Sequence, residues 1–383
     1  MNGHVHPEHK RIYDYFERAE PQTPCVVIDR EIVASNYRAF ANAMPSADIY
    51  YAIKANPAPE ILALLADLGS SFDAASLAEV TMALAAGAGP ERISFGNTIK
   101  KERDIAEAFQ LGIRLFAVDC IAEVEKVARV APGSRIFCRL LICNDGAEWP
   151  LSRKFGCDEA MALAVICRAH ELGLKPLGLS FHVGSQQTDP RAWDAALSTV
   201  SDLFQRASRQ GIELTAINLG GGFPARYLKS IPSARHYADM IDESLRRHFG
   251  NKIPATMIEP GRGMVGNAGI IKSEVVLIST KSDDDDQRWV YLDIGKFGGL
   301  AETMDEAIRY PLRTSRDGDF QKPAVIAGPT CDSVDVLYEK TPYPMPVSLT
   351  IGDEIFIENT GAYTTTYAAN GFNGFEPLQQ IVI

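Results

Sequence analysis

Residues 47–97 read ADIYYAIKANPAPEILALLADLGSSFDAASLAEVTMALAAGAGPERISFGN. A short apolar run, a polar or glycine stop and a helical pattern follow one another, and the cycle then begins again. ADIYYAIKA (47–55) leads into PEILALLADLG, SSFDAAS (70–76) leads into LAEVTMALAAG, and RISFGN (92–97) opens the third cycle. In the longer segments apolar residues recur three and four positions apart, the period of a helix with one buried face. The same rhythm continues through RLFAVD (114–119), RIFCRLLI (135–142), LGLSFHVG (177–184), AINLGGG (216–222) and ATMIEPG (255–261). Eight strands alternating with helices predict an α/β fold, a (β/α)8 TIM barrel over residues 30–268.

Beyond residue 268 the rhythm changes. EVVLIST, RWVYLDIG, KPAVIAGP and DEIFIEN are strand-like and have no helices of barrel length between them. Residues 269–383 are therefore expected to form a β-sandwich or β-barrel-like domain. The strand-like CVVID (25–29) is assigned to it together with residues 1–24. Proline-rich YEKTPYPMP (338–346) and the acidic run 283–286 read as loops.

The composition, 46% hydrophobic and 23% charged, is that of a folded globular chain. A net charge of −11 without a basic patch argues against a nucleic-acid partner. The first 21 residues contain no apolar run of signal-peptide type, and no stretch approaches the roughly 20 apolar residues of a membrane span, so the expected compartment is the cytoplasm. Seven cysteines, Cys25, Cys120, Cys138, Cys143, Cys157, Cys167 and Cys331, are odd in number and without C-x-x-C spacing. They read as reduced thiols rather than a disulfide frame or a zinc cluster.

The C-terminal ends of barrel strands form the active face of such folds. Those ends carry Lys54, Asp73, Asn97, Asp119, Arg139, His182, Gly220 to Gly222, and Glu259. A lysine closing an apolar strand is expected to be desolvated, which favours the neutral amine needed for Schiff-base chemistry; the alternative is a lysine snorkelling from the rim. Three glycines after the seventh run let backbone N–H groups approach an anion, as in barrel phosphate sites. IEPGRGMVG contains G-x-G-x-x-G, but it closes the eighth strand and enters a β region, so a dinucleotide reading is rejected. His182 reads either as a core histidine or as a ring that stacks on an aromatic cofactor. Cys331, isolated in GPTCDS, reads as packing unless its context says otherwise.

YAIKANP, FDAAS with Glu79 after it, FHVGSQ, LGGGFP, EPGRG, GPTCDS and ENTGAYT, in this order, resemble the fold-type III pyridoxal phosphate (PLP) decarboxylases with their alanine-racemase-like architecture. The wording is similar to the ornithine/lysine/arginine branch, and to bacterial ornithine and lysine/ornithine decarboxylases within it. The resemblance implies PLP as cofactor, held by Lys54 as a Schiff base. It implies that Glu259 pairs with the pyridine nitrogen, and that His182 stacks on the ring. Ser185, Gly220, Gly221, Gly222, Arg262 and Tyr363 would hold the phosphate, and Asp73 and Arg139 would lie at the cofactor's edge. It further implies that Cys331 protonates the substrate carbon and Asp332 binds the distal amine, with Glu302, Asp305 and Glu306 of segment 292–308 as candidate second acids. In this family Cys331 and Asp332 would come from a partner subunit, which implies a homodimer.

The expected reaction is decarboxylation of a basic L-amino acid, ornithine to putrescine or lysine to cadaverine. The competing readings are a diaminopimelate decarboxylase, a racemase on the same fold, and a non-catalytic homologue of antizyme-inhibitor type. The diaminopimelate enzymes typically carry CES where this chain has CDS, and their substrate's distal carboxylate would need an arginine.

Overall fold

The computed structural model describes residues 6–142, 147–149, 154–284 and 287–383. Cys143 and Asp285–Asp286 lie outside the described residues. The chain divides into two compact units: residues 34–224 with 231–264, and residues 1–33 with 225–230 and 265–383.

The first unit is a closed barrel of eight parallel strands. They are Ala47–Ala52, Ser71–Ala74, Ile93–Phe95, Leu115–Val118, Arg135–Arg139, Lys175–Ser180, Ala216–Asn218 and Ala255–Ile258. The eighth strand closes on the first, with Thr256 opposite Ala47 and Ile258 opposite Ile49. All eight coincide with the runs read from the sequence. Inside the barrel Tyr50, Leu115, Phe137, Ala216 and Met257 pack as one cluster, with Leu177 against it. The barrel is thus a filled core whose open chemistry is restricted to its mouth.

Local signals fix the strand ends. Ser76 caps helix Leu77–Ala85 by accepting from the Glu79 N–H at 3.2 Å, and Glu79 Oε2 accepts from Ala75 N–H at 2.6 Å. The serine is the N-cap, the glutamate reaches back to the residue before it, and such a cap contributes about 1 kcal/mol. It also anchors the strand end that carries Asp73. Between the third and fourth strands, buried Lys100 donates to the carbonyls of Asn97 (2.8 Å) and Ala117 (2.6 Å) and pairs with Glu123 at 3.0 Å. Burial pushes this lysine down to about 8. Asn97 and Asp119 also serve the loops: Asn97 donates to the Ala75 carbonyl (3.3 Å), and Asp119 accepts from Gly156 N–H (3.0 Å).

The second unit carries an eight-stranded mixed sheet. Its main path runs Leu312–Thr314, Glu354–Glu358, Gly269–Ser279, Arg288–Leu292, Gln321–Ala327, Val336–Pro346. Strand Cys25–Ile28 pairs antiparallel with Gly269–Lys272 and parallel with Gln379–Val382. Helix Lys10–Ala19 buries Ile12, Tyr13 and Phe16, and the two rings meet Phe356 at 5.2 and 5.4 Å.

The loop expected at 338–346 is instead part of the eleven-residue strand Val336–Pro346. That strand ends the sheet path and, among the described residues, pairs only with Gln321–Ala327, with Pro344 opposite Pro323 and Pro346 opposite Gln321. Proline lacks the N–H that a central strand must donate on both sides, but at a sheet edge one side needs no donor. Among the described residues no helix is long and apolar enough to cross a membrane.

Candidate active site

At the barrel mouth, Lys54 sits in a one-turn 3-10 helix, Ile53–Ala55, just past the first strand. Its Nζ lies 3.1 Å from Asp73 Oδ2, at the end of the second strand. The expectation of a desolvated lysine is corrected here. The turn carries the side chain beyond the strand end, where it is 46% exposed, and a nearly buried carboxylate is its partner. Asp73 Oδ1 is buried and has no hydrogen-bond partner among the described residues.

Glu259 follows the eighth strand. Burial, reinforced by the charge of Asp73, raises its carboxyl to about 7, while Lys54, Asn218 and Arg139 act in the opposite direction. A cationic group brought against this acid would return it to the ionised state. His182 follows the sixth strand. Burial, then the charges of Arg139 and Lys54, hold its imidazole well below the ordinary histidine range, so it is neutral. Its Nδ1 faces Gly184 N–H at 3.0 Å and accepts, which leaves the ring proton on Nε2. A small cavity is bounded by Gly96, Arg139, Ser180, His182, Asn218 and Glu259.

The Gly220–Gly222 run has no room for side chains. A Cβ on Gly221 would meet the Glu259 carbonyl oxygen at 2.7 Å and His182 Nε2 at 3.1 Å. Gly220 and Gly222 hold φ of +69° and +101°, the left-handed region that favours glycine. A Cβ on Gly222 would lie 2.6 Å from the Gly184 carbonyl, and Gln187 N–H donates to the Gly222 carbonyl at 2.8 Å. The neighbouring Ser185 accepts at 3.2 Å from the guanidinium of Arg262, which is buried. Glycine backbone, a hydroxyl and a buried cation therefore converge in one cradle suited to a phosphate.

The other sequence candidates lie in the sheet unit. Cys331 is exposed, and its N–H donates to Asn373 Oδ1 at 2.9 Å. Asp332 Oδ1 accepts from Val334 N–H at 2.9 Å. Buried Asp335 holds this loop, accepting from Thr330 Oγ1 (2.7 Å) and N–H (3.1 Å) and from Lys296 N–H (2.7 Å). Tyr363 and Asn359, with φ of 55° and 64°, bracket a turn strained for non-glycine residues. Glu302 is buried, and Asp305 is exposed and paired with Lys340 at 3.0 Å. Glu306 accepts from the backbone N–H groups of Glu339 (2.7 Å), Lys340 (2.5 Å) and Thr341 (3.3 Å), and pairs with Arg309 at 2.7 Å. Its carboxylate is engaged by the neighbouring strand, so it acts as a clamp in this structure.

Sequence reading passed over Asn218. It lies inside the apolar run AINLGGG and looks like strand filler, yet its side chain bonds Glu259. A polar residue two positions before a glycine run was the available signal.

An amine with a carboxylate partner, a half-buried acid on the adjoining eighth strand, a neutral half-buried imidazole and an anion cradle fit a flat phosphorylated aldehyde. The glycines leave the approach clear for its phosphate, and the imidazole offers an uncharged face to its ring. Fold and site together define a PLP enzyme built on a (β/α)8 barrel. Residues 30–266 match the family model described as pyridoxal-dependent decarboxylase, pyridoxal binding domain, and the chain belongs to that family.

A lysine/ornithine decarboxylase from Selenomonas ruminantium is 35% identical over 355 residues, covering 92% of this chain and 88% of that protein. The lysine/ornithine decarboxylase of Vibrio vulnificus, solved with cadaverine, matches at TM-score 0.87 and 31% identity over 99% of each chain, and it has also been solved with putrescine. Antizyme inhibitor 2 of Xenopus laevis is 30% identical over 380 residues, 96% of this chain and 82% of that one. The chain is a PLP-dependent decarboxylase of basic amino acids.

Proposed function

We propose that this enzyme converts L-ornithine to putrescine and also accepts L-lysine, giving cadaverine. The observation that carries the reading is Asp332: a carboxylate, not an arginine, stands beside the exposed thiol of Cys331 on a loop held by Asp335 and Asn373. An acid matches a distal ammonium and repels a distal carboxylate, which disfavours diaminopimelate. The bacterial relatives solved with cadaverine and putrescine support the same substrate class.

In this reading Lys54 would hold the cofactor through its aldehyde, with Asp73 orienting the amine. Glu259 would pair with the pyridine nitrogen, His182 would stack on the ring, and Arg139 would lie at the edge. Ser185, Gly220, Gly221, Gly222, Arg262 and Tyr363 hold the phosphate. When bound, PLP supplies a protonated ring that delocalises the electron pair left as the substrate carboxylate departs. Cys331 then delivers a proton from Sγ to the substrate carbon, while Asp332 holds the distal ammonium. Glu302 is the second acid best protected from solvent.

Cys331 and Asp332 act in the site of a second copy of the chain, so the working form is a homodimer. The exposure of Cys331 on the sheet unit supports this. Dilution below the dimer's dissociation constant should then lower specific activity; a demonstrated monomer with full activity would refute it.

Steady-state rates on ornithine, lysine, arginine and meso-diaminopimelate, with the products identified, test the substrate. Ornithine and lysine should lead, within the range that one methylene allows, about 1–3 kcal/mol. Fastest turnover of diaminopimelate would overturn the proposal. The similarity to antizyme inhibitor 2 suggests a non-catalytic reading, which the retained Lys54–Asp73 pair and glycine cradle disfavour. A visible absorbance band from bound PLP that is lost in Lys54→Ala would count against that reading.

A further inference from the structure

Asn218 ends the seventh barrel strand and is buried. Its Nδ2 donates to Glu259 Oε1 at 2.5 Å, and its Oδ1 accepts from the Gly220 N–H at 2.9 Å. Its own carbonyl accepts from Phe181 N–H at 3.2 Å, one residue before His182. In the return direction, Glu259 N–H donates to the Gly220 carbonyl at 2.9 Å. One buried amide therefore bonds the acid on one side and the first glycine of the anion cradle on the other.

We propose that Asn218 is a positioning residue that orients the Glu259 carboxylate and registers it against the glycine cradle, so that both ends of the cofactor are met together. Its side-chain nitrogen and oxygen are engaged by Glu259 and by the Gly220 N–H, so it acts through these two. The proposal rests on the reading that Glu259 faces the cofactor's ring nitrogen.

An amide has the required polarity at every pH. It donates to a carboxylate and accepts from a backbone N–H with one rigid group, whereas ionised aspartate can only accept. An aspartate in its place would set a second carboxylate against Glu259, which already faces the charges of Asp73, Lys54 and Arg139 and has Tyr50 nearby. Two carboxylates at hydrogen-bond distance cannot both ionise readily. The asparagine thus holds the acid in place without competing for its proton. Burial makes the effect larger than it would be in water, because an unpaired polar atom there has no solvent to replace its partner.

The test uses the holoenzyme of four forms: wild type, Asn218→Asp, Glu259→Gln and the double variant. Each is followed by the visible absorbance of bound PLP across pH and by the rate of PLP release after dilution into cofactor-free buffer. Asn218→Asp should shift the pH midpoint of the spectrum and speed PLP release about tenfold, the factor that one pKa unit represents. In the Glu259→Gln background the same substitution should do much less, because the amide at position 259 carries no charge to couple to.

An altered Glu259→Gln enzyme beside an unaltered Asn218→Asp enzyme overturns the inference alone. An unaltered Glu259→Gln enzyme overturns the reading of Glu259 and the inference with it. Equal effects of Asn218→Asp in both backgrounds show that Asn218 does not act through Glu259, and also overturn it. If Asn218→Asp does not fold, Asn218→Ser in the same two backgrounds gives the same comparison. It removes the amide donor without adding charge, so it should speed release with Glu259 present and change little in the Glu259→Gln background.

Discussion

Lys54 Nζ and Asp73 Oδ2 lie 3.1 Å apart, although 19 residues separate them in the chain. The barrel brings them together because Ala52, two residues before Lys54, pairs in register with Asp73 on the next strand. The ion pair is thus a consequence of parallel pairing at the mouth. It places a primary amine where an aldehyde can be captured.

Replacing Lys54 by alanine should abolish covalent retention of the cofactor. Borohydride treatment followed by intact-mass measurement should show an adduct in the wild type and none in Lys54→Ala. Decarboxylase turnover should fall by about three orders of magnitude, since on the proposed reading Lys54 is the amine that captures the aldehyde. An adduct of unchanged mass in the variant would assign the bond to a different lysine.

Glu259 gives a prediction in pH. Its carboxyl is raised to about 7 in the folded protein, from an ordinary value near 4.5. A raised folded value means that the group's contribution to stability is fully present below the ordinary value and is lost as pH climbs through 7. Glu259→Gln removes that penalty. In protein stripped of PLP, the substitution should raise the melting temperature at pH 8 relative to its effect at pH 4. A pH-independent shift would show that the acid is not desolvated.

Gly221→Ala should damage the cradle without disturbing the barrel core. The added Cβ would meet the Glu259 carbonyl oxygen at 2.7 Å, a backbone atom that cannot swing away. The expected cost is about 1–3 kcal/mol, the range for overpacking a filled site. PLP affinity should fall with it. Equilibrium dialysis and a denaturant melt would measure the two losses separately, and wild-type values in both would sink the assignment.

In the sheet unit, buried His9 lies 3.6 Å from Glu358, to which Tyr13 also donates at 3.0 Å. Burial alone would lower the histidine, but Glu358 overrides it and the net shift is upward. Burial alone would raise Glu358, but bonding from His9 and Tyr13 holds it below the usual range. The His9 contribution is present below the ordinary histidine value and lost as pH rises through the raised one. The Glu358 contribution is present above the ordinary glutamate value and lost as pH falls through the lowered one. Amide exchange in helix Lys10–Ala19 should therefore quicken at both extremes. His9→Gln should remove the alkaline limb and weaken the acid one, leaving what Tyr13 and Arg313 contribute.

Much of the barrel was legible because its signals are local. The runs ending at Ala52, Ala74, Phe95 and Val118 each precede a helical pattern, and Ser76 with Glu79 marks a helix start within four residues. The glycine cradle was legible for the same reason, since left-handed φ at Gly220 and Gly222 is a property of single residues. The strand Val336–Pro346 was not, because whether prolines end a strand or sit at its edge depends on which neighbours the strand has. Glu306 was similarly opaque. Nothing near it in the sequence announces that the backbone of residues 339–341 will occupy its carboxylate.

By itself, then, the sequence determined the number and order of the barrel strands, the place of the glycine turn and the residue types gathered at the strand ends. Hydrophobic period, capping and backbone freedom operate over a few residues and leave their mark there. Only the tertiary structure decided the partners: Lys54 with Asp73, Glu259 with Asn218 across 41 residues, and Arg262 with Ser185 across 77. It also decided that Lys54 stands exposed while Glu259 is half-enclosed and Asp73 is buried. Charge state and hydrogen bonding depend on what surrounds a group in space, and in a closed barrel those surroundings come from strands far apart in the chain.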